Sequence, residues 1–489
     1  MISADQEDVA RRSNRLLVSA VVLSLCLAGC GGASLEPWHS QRLTEEYGAA
    51  NRTELSSFDD YLRLEDRLFA ELQEDVYADV GTGPAYALVR YSAGSLADPE
   101  DDEPNWNRSF ELTTDAPVGG VLLLHGMSDS PYSLRALAET LAEQGYWVIG
   151  LRLPGHGTAP SGLAHITMQD MTGAVRLAMK HLASKLGEKP VHIVGYSTGA
   201  ALALDFALDE IEGKVSPKPA SLVLISPAIR IHPSAALARF KDGLSIVPGL
   251  GGLAWLQVVP EFDPYKYNSF ATNAGGVVHR LTRSVDRRIA SRFRPGRGDI
   301  LPPTLVFKST VDATVTTRAA VDRLLALLSS HRHELVLFDI NRLAAKSTLL
   351  IADPGPLTNR LLENDTLPFA VTFVTNADEN TRAVVARHKA PFSSDIVEEE
   401  PLGLSWPVGV ISLSHLALSI PPDDPLYGSR PPGNEGILFL GDMPMRGERG
   451  LINLPGDWLL RMRYNPFYDV IEKRVLEWFE LDHDQATRP

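Results

Sequence analysis

Cysteine is nearly absent from this chain of 489 residues: only Cys26 and Cys30 occur, both ahead of any segment that reads as a fold element. A disulfide framework is thereby excluded for the folded part, which must be held by its apolar core alone, and the length permits such a core. Basic residues are also scarce, with 46 Lys and Arg against 61 Asp and Glu and a formal net charge of −15. Nothing supplies the Lys/Arg stripe that phosphate binding needs, so nucleic acid is excluded as a partner. There is no internal repeat and no low-complexity tract, and the densest charge run, residues 97–104 (ADPEDDEP), reads as a solvated acidic loop. What is present, 44% apolar and 22% charged residues, is the composition of a soluble globular protein with one large domain or two ordinary ones.

Long hydrophobic runs are limited to one. Arg11, Arg12 and Arg15 precede LLVSAVVLSLCLAG, residues 16–29, which is too short to span a bilayer comfortably and ends in small residues, as an export signal does. The run closes on LAGC, residues 27–30, which resembles the lipobox of bacterial lipoproteins. That resemblance implies cleavage before Cys30, which becomes the lipidated first residue and anchors the chain to a membrane. Gly31, where an Asp would signal retention, resembles outer-membrane sorting in a host with two membranes.

Residues 1–29 are therefore read as a signal peptide and residues 30–110 as a polar, irregular extension. One amphipathic helix is expected within it over 58–77 (FDDYLRLEDRLFAELQEDVY). From residue 111 the chain changes character. GGVLLLHG, WVIGLRLPGHG, VHIVGYS, ASLVLISP and PTLVFKSTVD are short continuous apolar runs, and helical patterns such as SLRALAETLAEQG separate the first four. Runs buried on both faces and alternating with helices predict an α/β domain with a mostly parallel sheet, whose ligands sit beyond the carboxyl ends of the strands.

The stretch GYSTG, residues 195–199, lies at such a strand end and opens a helix. This is the strand, turn, helix setting of a G-x-S-x-G nucleophile elbow, in which a strained turn leaves no room for side chains beside the Ser. Ser197 is the candidate nucleophile. A hydroxyl needs a base, and the base an orienting acid. Asp312 ends the buried run PTLVFKSTVD just before a helical pattern, and Asp339, ending ELVLFD, is the alternative acid. Among the late histidines, His415 follows the apolar run WPVGVISLS and enters a turn-rich loop. His388 lies in a strand pattern among charges and is the alternative base. His331 and His333 read as a helix end, and His483 as part of the polar tail. Thr198 and Met127 are the expected backbone N–H donors of an oxyanion hole, while His125 and His156 read as organisers of their loops.

Together LLLHGMSDSPYSLRALAETLAEQGYWVIGLRLPGHG, GYSTGAALAL, STVDATV and SLSHLAL resemble the α/β-hydrolase superfamily, in its monoacylglycerol lipase, carboxylesterase and serine aminopeptidase-like branch. The resemblance implies an α/β-hydrolase fold over 111–489, with helices on both faces of the sheet and an inserted helical cap over 228–300. It also implies a triad of Ser197, Asp312 and His415, and a small-molecule ester or lipid substrate without metal or organic cofactor. About 100 residues separate the acid from His415, so residues 341–405 read as an insertion, expected to add a strand pair. Six cap residues, Trp255, Leu256, Phe262, Tyr265, Tyr267 and Phe270, are candidates to line an apolar acyl site. Glu261 and Asp263 are the one acidic cluster that would suit a free amino terminus, as an aminopeptidase requires.

Overall fold

The computed structural model describes residues 35–229, 254–293, 301–312, 317–328, 332–344, 353–433, 437–441 and 462–486. Cys30, the signal run, His331 and much of the expected cap lie outside the described residues. In chain order the strands are β1 (Phe110–Leu112), β2 (Gly119–Leu124), β3 (Tyr146–Leu151), β4 (Val191–Tyr196), β5 (Leu222–Ile225), β6 (Trp255–Gln257), β7 (Phe270–Ala271), β8 (Thr304–Ser309), β9 (His333–Phe338), β10 (Ala370–Asn376), β11 (Ala383–Lys389) and β12 (Ile396–Ser405). Ten form one sheet in the order β1-β3-β2-β4-β5-β8-β9-β10-β11-β12, parallel from β3 to β10 and antiparallel at β1, β11 and β12. β6 and β7 pair separately.

The apolar runs form central strands because both of their faces are covered. Along β2, Leu122 and Leu124 pack with Leu182 of α3 (Met168–Leu186) and Leu202 of α4 (Thr198–Ile211). Val121 and Leu123 point the other way, to Leu137 of α2 (Arg135–Glu143) and Ile471 of α8 (Tyr468–Ala486). Helix α5 (Thr272–Arg292), within the stretch expected as cap, packs its Val277, Leu281 and Val285 into the α3 and α4 layer. Arg288 of α5 reaches Asp205 and Asp209 of α4 at 2.8 Å each. Among its described residues, those that line the cavity at the carboxyl ends of the strands fall between Gln257 and Phe270.

The extension docks through α1 (Phe58–Asp75), capped by Ser57 and Asp60, whose Phe58, Tyr61 and Leu64 enter the α3 side of the core. A buried cation then clamps it. Arg152, directly after β3, places its Nε 2.9 Å from Glu65 and its two terminal nitrogens 3.0 Å from the Glu46 carboxylate. The same guanidinium donates to the His156 carbonyl at 3.0 Å, so the LPGHG loop and the extension share one ionic knot.

The long interval before His415 is an excursion that closes on itself. The Asn341 N–H donates to the Ile411 carbonyl at 2.7 Å, and its side-chain amide to the Val410 carbonyl at 2.8 Å. Between these points run α7 (Gly355–Glu363) and three strands, one more than expected. The third, β12, reads IVEEEPLGLS and is exposed or half-buried throughout. Its second half alternates, with Leu402 and Leu404 half-buried against the core, and as the edge strand it carries acidic side chains that discourage further pairing. His333 is also corrected: it opens β9 and is buried, since the following ELVLF run claims it as a strand residue.

Candidate active site

Strand β4 ends at Tyr196, and α4 begins at Thr198. Ser197, alone between them, takes φ 54° and ψ −109°, a conformation held because its N–H donates to Ile225 at 2.9 Å. The flanking glycines are steric requirements. A Cβ on Gly195 would lie 2.5 Å from the Ala200 backbone, and one on Gly199 only 2.0 Å from the Leu124 carbonyl oxygen. Helix α4 thus sits directly against the carboxyl end of β2, with the Ser hydroxyl above it.

His415 Nε2 lies 3.0 Å from Ser197 Oγ, and His415 Nδ1 lies 2.7 Å from Asp312 Oδ2. Two bonds hold this loop to the sheet: Ser309 Oγ donates to the Leu413 carbonyl at 2.9 Å, and the Tyr196 hydroxyl to the His415 carbonyl at 3.4 Å. Burial would push the Asp312 carboxyl up, but the His415 ring and the Lys308 ammonium hold it far below the usual carboxylate range. Lys308, on β8, is fully buried and bonds the same Oδ2 that meets His415. The sequence reading missed it. Its signal was available: one charge inside an apolar run, four residues before a candidate acid.

The alternatives are placed elsewhere. Asp339 accepts Arg342 Nε and Nη2, at 2.7 and 2.8 Å, and the Thr375 hydroxyl at 2.9 Å. His388, on β11, meets Thr372 at 2.9 Å and faces Glu400 at 3.9 Å. Neither approaches Ser197.

Thr198 opens α4, so its N–H is among the first-turn donors that lack an intrahelical acceptor. Met127 follows Gly126, where a Cβ would stand 3.0 Å from the Tyr196 ring and 3.4 Å from Ser197 Cβ, so the turn after β2 passes close to the Ser. His125 is buried, with Nδ1 2.8 Å from the Gly126 carbonyl and Nε2 accepting the Leu153 N–H at 3.0 Å. It ties the turn after β2 to the turn after β3. His156 Nδ1 meets the Pro154 carbonyl at 2.9 Å, and burial lowers its pKa to about 4.

A cavity of about 370 Å³ is lined in part by Ser128, Tyr196 and Leu416, the chain neighbours of Met127, Ser197 and His415. Its lining is more polar than expected. Asp129, Lys266, Asp263 and Arg463 contribute charge, and of the six expected cap residues only Tyr267 and Phe270 reach it. Trp255 is buried against His39, Tyr265 stacks on Tyr132 at 4.1 Å, Phe262 packs with the same cluster, and Leu256 is exposed. These aromatics fill the seam between extension, cap and sheet instead.

Residues 115–340 match the family described as Hydrolase_4, serine aminopeptidase, S33. The thermostable monoacylglycerol lipase of Bacillus sp. (strain H-257) is 34% identical over 135 residues, covering 26% of this chain and 50% of that protein. Phospholipase YtpA of Bacillus subtilis (strain 168) is 26% identical over 136 residues, covering 27% and 50%. The chain thus spans about half the length of the curated relatives it matches. Among solved structures, the monoacylglycerol lipase of Paleococcus ferrophilus aligns at 20% identity and a TM-score of 0.36, over 47% of this chain and 88% of that one. With the family match over β2 to β5, β8 and β9 and a Ser elbow at the end of β4, the chain has an α/β-hydrolase fold and is similar to the lipase and esterase branch of that superfamily.

Proposed function

We propose that the chain is a serine hydrolase of carboxylic esters that works through an acyl-enzyme. The observation that carries this reading is the unbroken line from Ser197 Oγ through His415 to Asp312, at 3.0 and 2.7 Å. Ser197 attacks the ester carbonyl while His415 takes its proton, and the oxyanion is met by the Met127 and Thr198 N–H groups. His415 returns the proton to the leaving alcohol, and water then releases the acid by the reverse relay. Asp312 keeps the Nδ1–H tautomer and stabilises the imidazolium.

The cavity volume suits a small ester or one arm of a lipid, and the charged lining favours a substrate with a polar portion. Lipid esters also fit the names of the two relatives, a monoacylglycerol lipase and a phospholipase. An aminopeptidase reading gains no support from Glu261 and Asp263. Glu261 accepts the Asn268 and Ser269 N–H groups, and Asp263 accepts Tyr427 and Arg463, so both are already occupied. We also place the protein in a bacterial cell envelope, lipid-anchored through Cys30, on the strength of LAGC.

Fluorophosphonate labelling and a panel of p-nitrophenyl esters and aminoacyl anilides test the reading. Ser197→Ala removes labelling and ester turnover together, and turnover that persists places the nucleophile elsewhere. Cys30→Ser moves the protein from the membrane fraction to the soluble one; unchanged membrane association of a lipid-free chain refutes the anchor.

A further inference from the structure

Lys308 has no task in the relay above. Its side chain is fully buried, as is that of Asp312, and it contacts the carboxylate oxygen that also receives His415 Nδ1. Burying a cation is costly unless a partner and further hydrogen bonds compensate it, so a lysine at this depth is tied to its acid. Titratable groups near the pair include Tyr196 of β4, whose ring stands 5.4 Å from the imidazole, and Asp129, which acts on Tyr196 from the loop after β2. Neither reaches Asp312 Oδ2.

We propose that Lys308 is a positioning residue that works on His415 through Asp312, fixing the shared oxygen and setting how far down in pH the imidazole remains a base. Two consequences follow from charge alone. The ammonium keeps Asp312 ionised and oriented, so Oδ2 always presents to Nδ1. It also opposes the positive charge that His415 acquires when it accepts the Ser197 proton or one from solvent. The imidazolium is therefore favoured less than a bare carboxylate would favour it, and the acid limb of the rate profile lies lower.

This inference rests on the serine hydrolase reading, and the experiment separates the two. kcat/KM for a soluble neutral ester is followed by pH-stat from pH 4.5 to 9 in the full chain, with Lys308→Met, Lys308→Gln and Lys308→Arg beside wild type. Met and Gln raise the acid limb by about one pH unit, a roughly tenfold relative loss below the limb, while the plateau changes far less. Arg keeps the cation and the wild-type limb. A loss equal at every pH, with the limb unmoved in Met and Gln, means Lys308 only supports the fold and overturns the proposal. Should neither neutral variant fold, Lys308→Arg decides: a wild-type limb supports the proposal, and one displaced by a full unit overturns it. If Ser197→Ala retains turnover, the hydrolase reading itself has failed; if that variant is dead and the Met and Gln limbs stay put, only this inference has.

Discussion

Gly199→Ala is the smallest change that should break the site through the fold. The added Cβ would stand 2.0 Å from the Leu124 carbonyl oxygen, 2.5 Å from its carbon and 2.7 Å from the His125 oxygen, all backbone atoms. Real Cβ contacts stay above 3.0 Å, so α4 and the end of β2 must part by at least about 1 Å. β2 is paired on both sides, by β3 and β4, and has little freedom to yield. Helix α4 yields instead, carrying Ser197 and the Thr198 N–H away from Met127 and from His415 Nε2. Overpacking of this kind costs about 1–3 kcal/mol of stability. A misplacement near 1 Å in a preorganised site costs on the order of a hundredfold in rate. The assay is fluorophosphonate labelling rate and ester turnover, with the thermal midpoint measured in parallel. Gly187→Ala is the control: φ there is +63° with nothing within 4 Å, so it loses about 1–2 kcal/mol through backbone strain and keeps wild-type turnover. If Gly199→Ala retains both midpoint and turnover, the elbow is not held by that contact and the steric account of GYSTG is wrong.

Three further changes test other parts of the molecule. His415→Ala costs as much turnover as Ser197→Ala, because members of a relay act as a unit, while His388→Ala stays near wild type; the opposite ranking in the ester assay would reassign the base. Glu65→Ala leaves buried Arg152 with Glu46 as its remaining carboxylate and strips the acceptor from the Ser109 N–H, so urea unfolding should show a loss of about 3 kcal/mol or more, and a change within 0.5 kcal/mol would refute the clamp. His156 has a folded pKa of about 4 against about 6.5 unfolded, so the unfolded chain binds the extra proton as pH falls; its contribution is complete above pH 6.5 and shrinks down to pH 4. Between pH 7 and 4.5 wild type should therefore lose about 2–3 kcal/mol more than His156→Gln in urea titrations, and equal losses would show that His156 titrates normally in the fold.

What could be read from the sequence was set by how far apart the cooperating residues lie along the chain. GYSTG was legible because most of its demands act between neighbours: a strand end, one strained residue, and Gly195, whose Cβ would meet the Ala200 backbone. The parallel sheet was legible for the same reason, each buried run being whole in itself. The Arg152 clamp was not, since Glu46, Glu65 and the His156 carbonyl come together only once the extension has docked. For the interval before His415, distance along the chain alone does not say where the His loop lands. Asn341 and Ile411 hydrogen-bond across it, so the His loop returns to the place it would occupy had the chain continued directly from β9.

Lys308 is a different case, because its partner is only four residues away and the clue was in plain view. TLVFKS was read as a buried strand on its apolar content, which is right, and that reading turned the lysine into a contradiction. A cation cannot be left alone in a run with no exposed position, so it must have found an anion near the strand's end, where the functional ends of such sheets lie. Asp312 was already the candidate acid there. A charge inside an otherwise apolar central strand thus points to its partner more sharply than the partner's own surroundings do, and here it favours Asp312 over Asp339: Asp339 has its own cation, Arg342, three residues on, outside the strand.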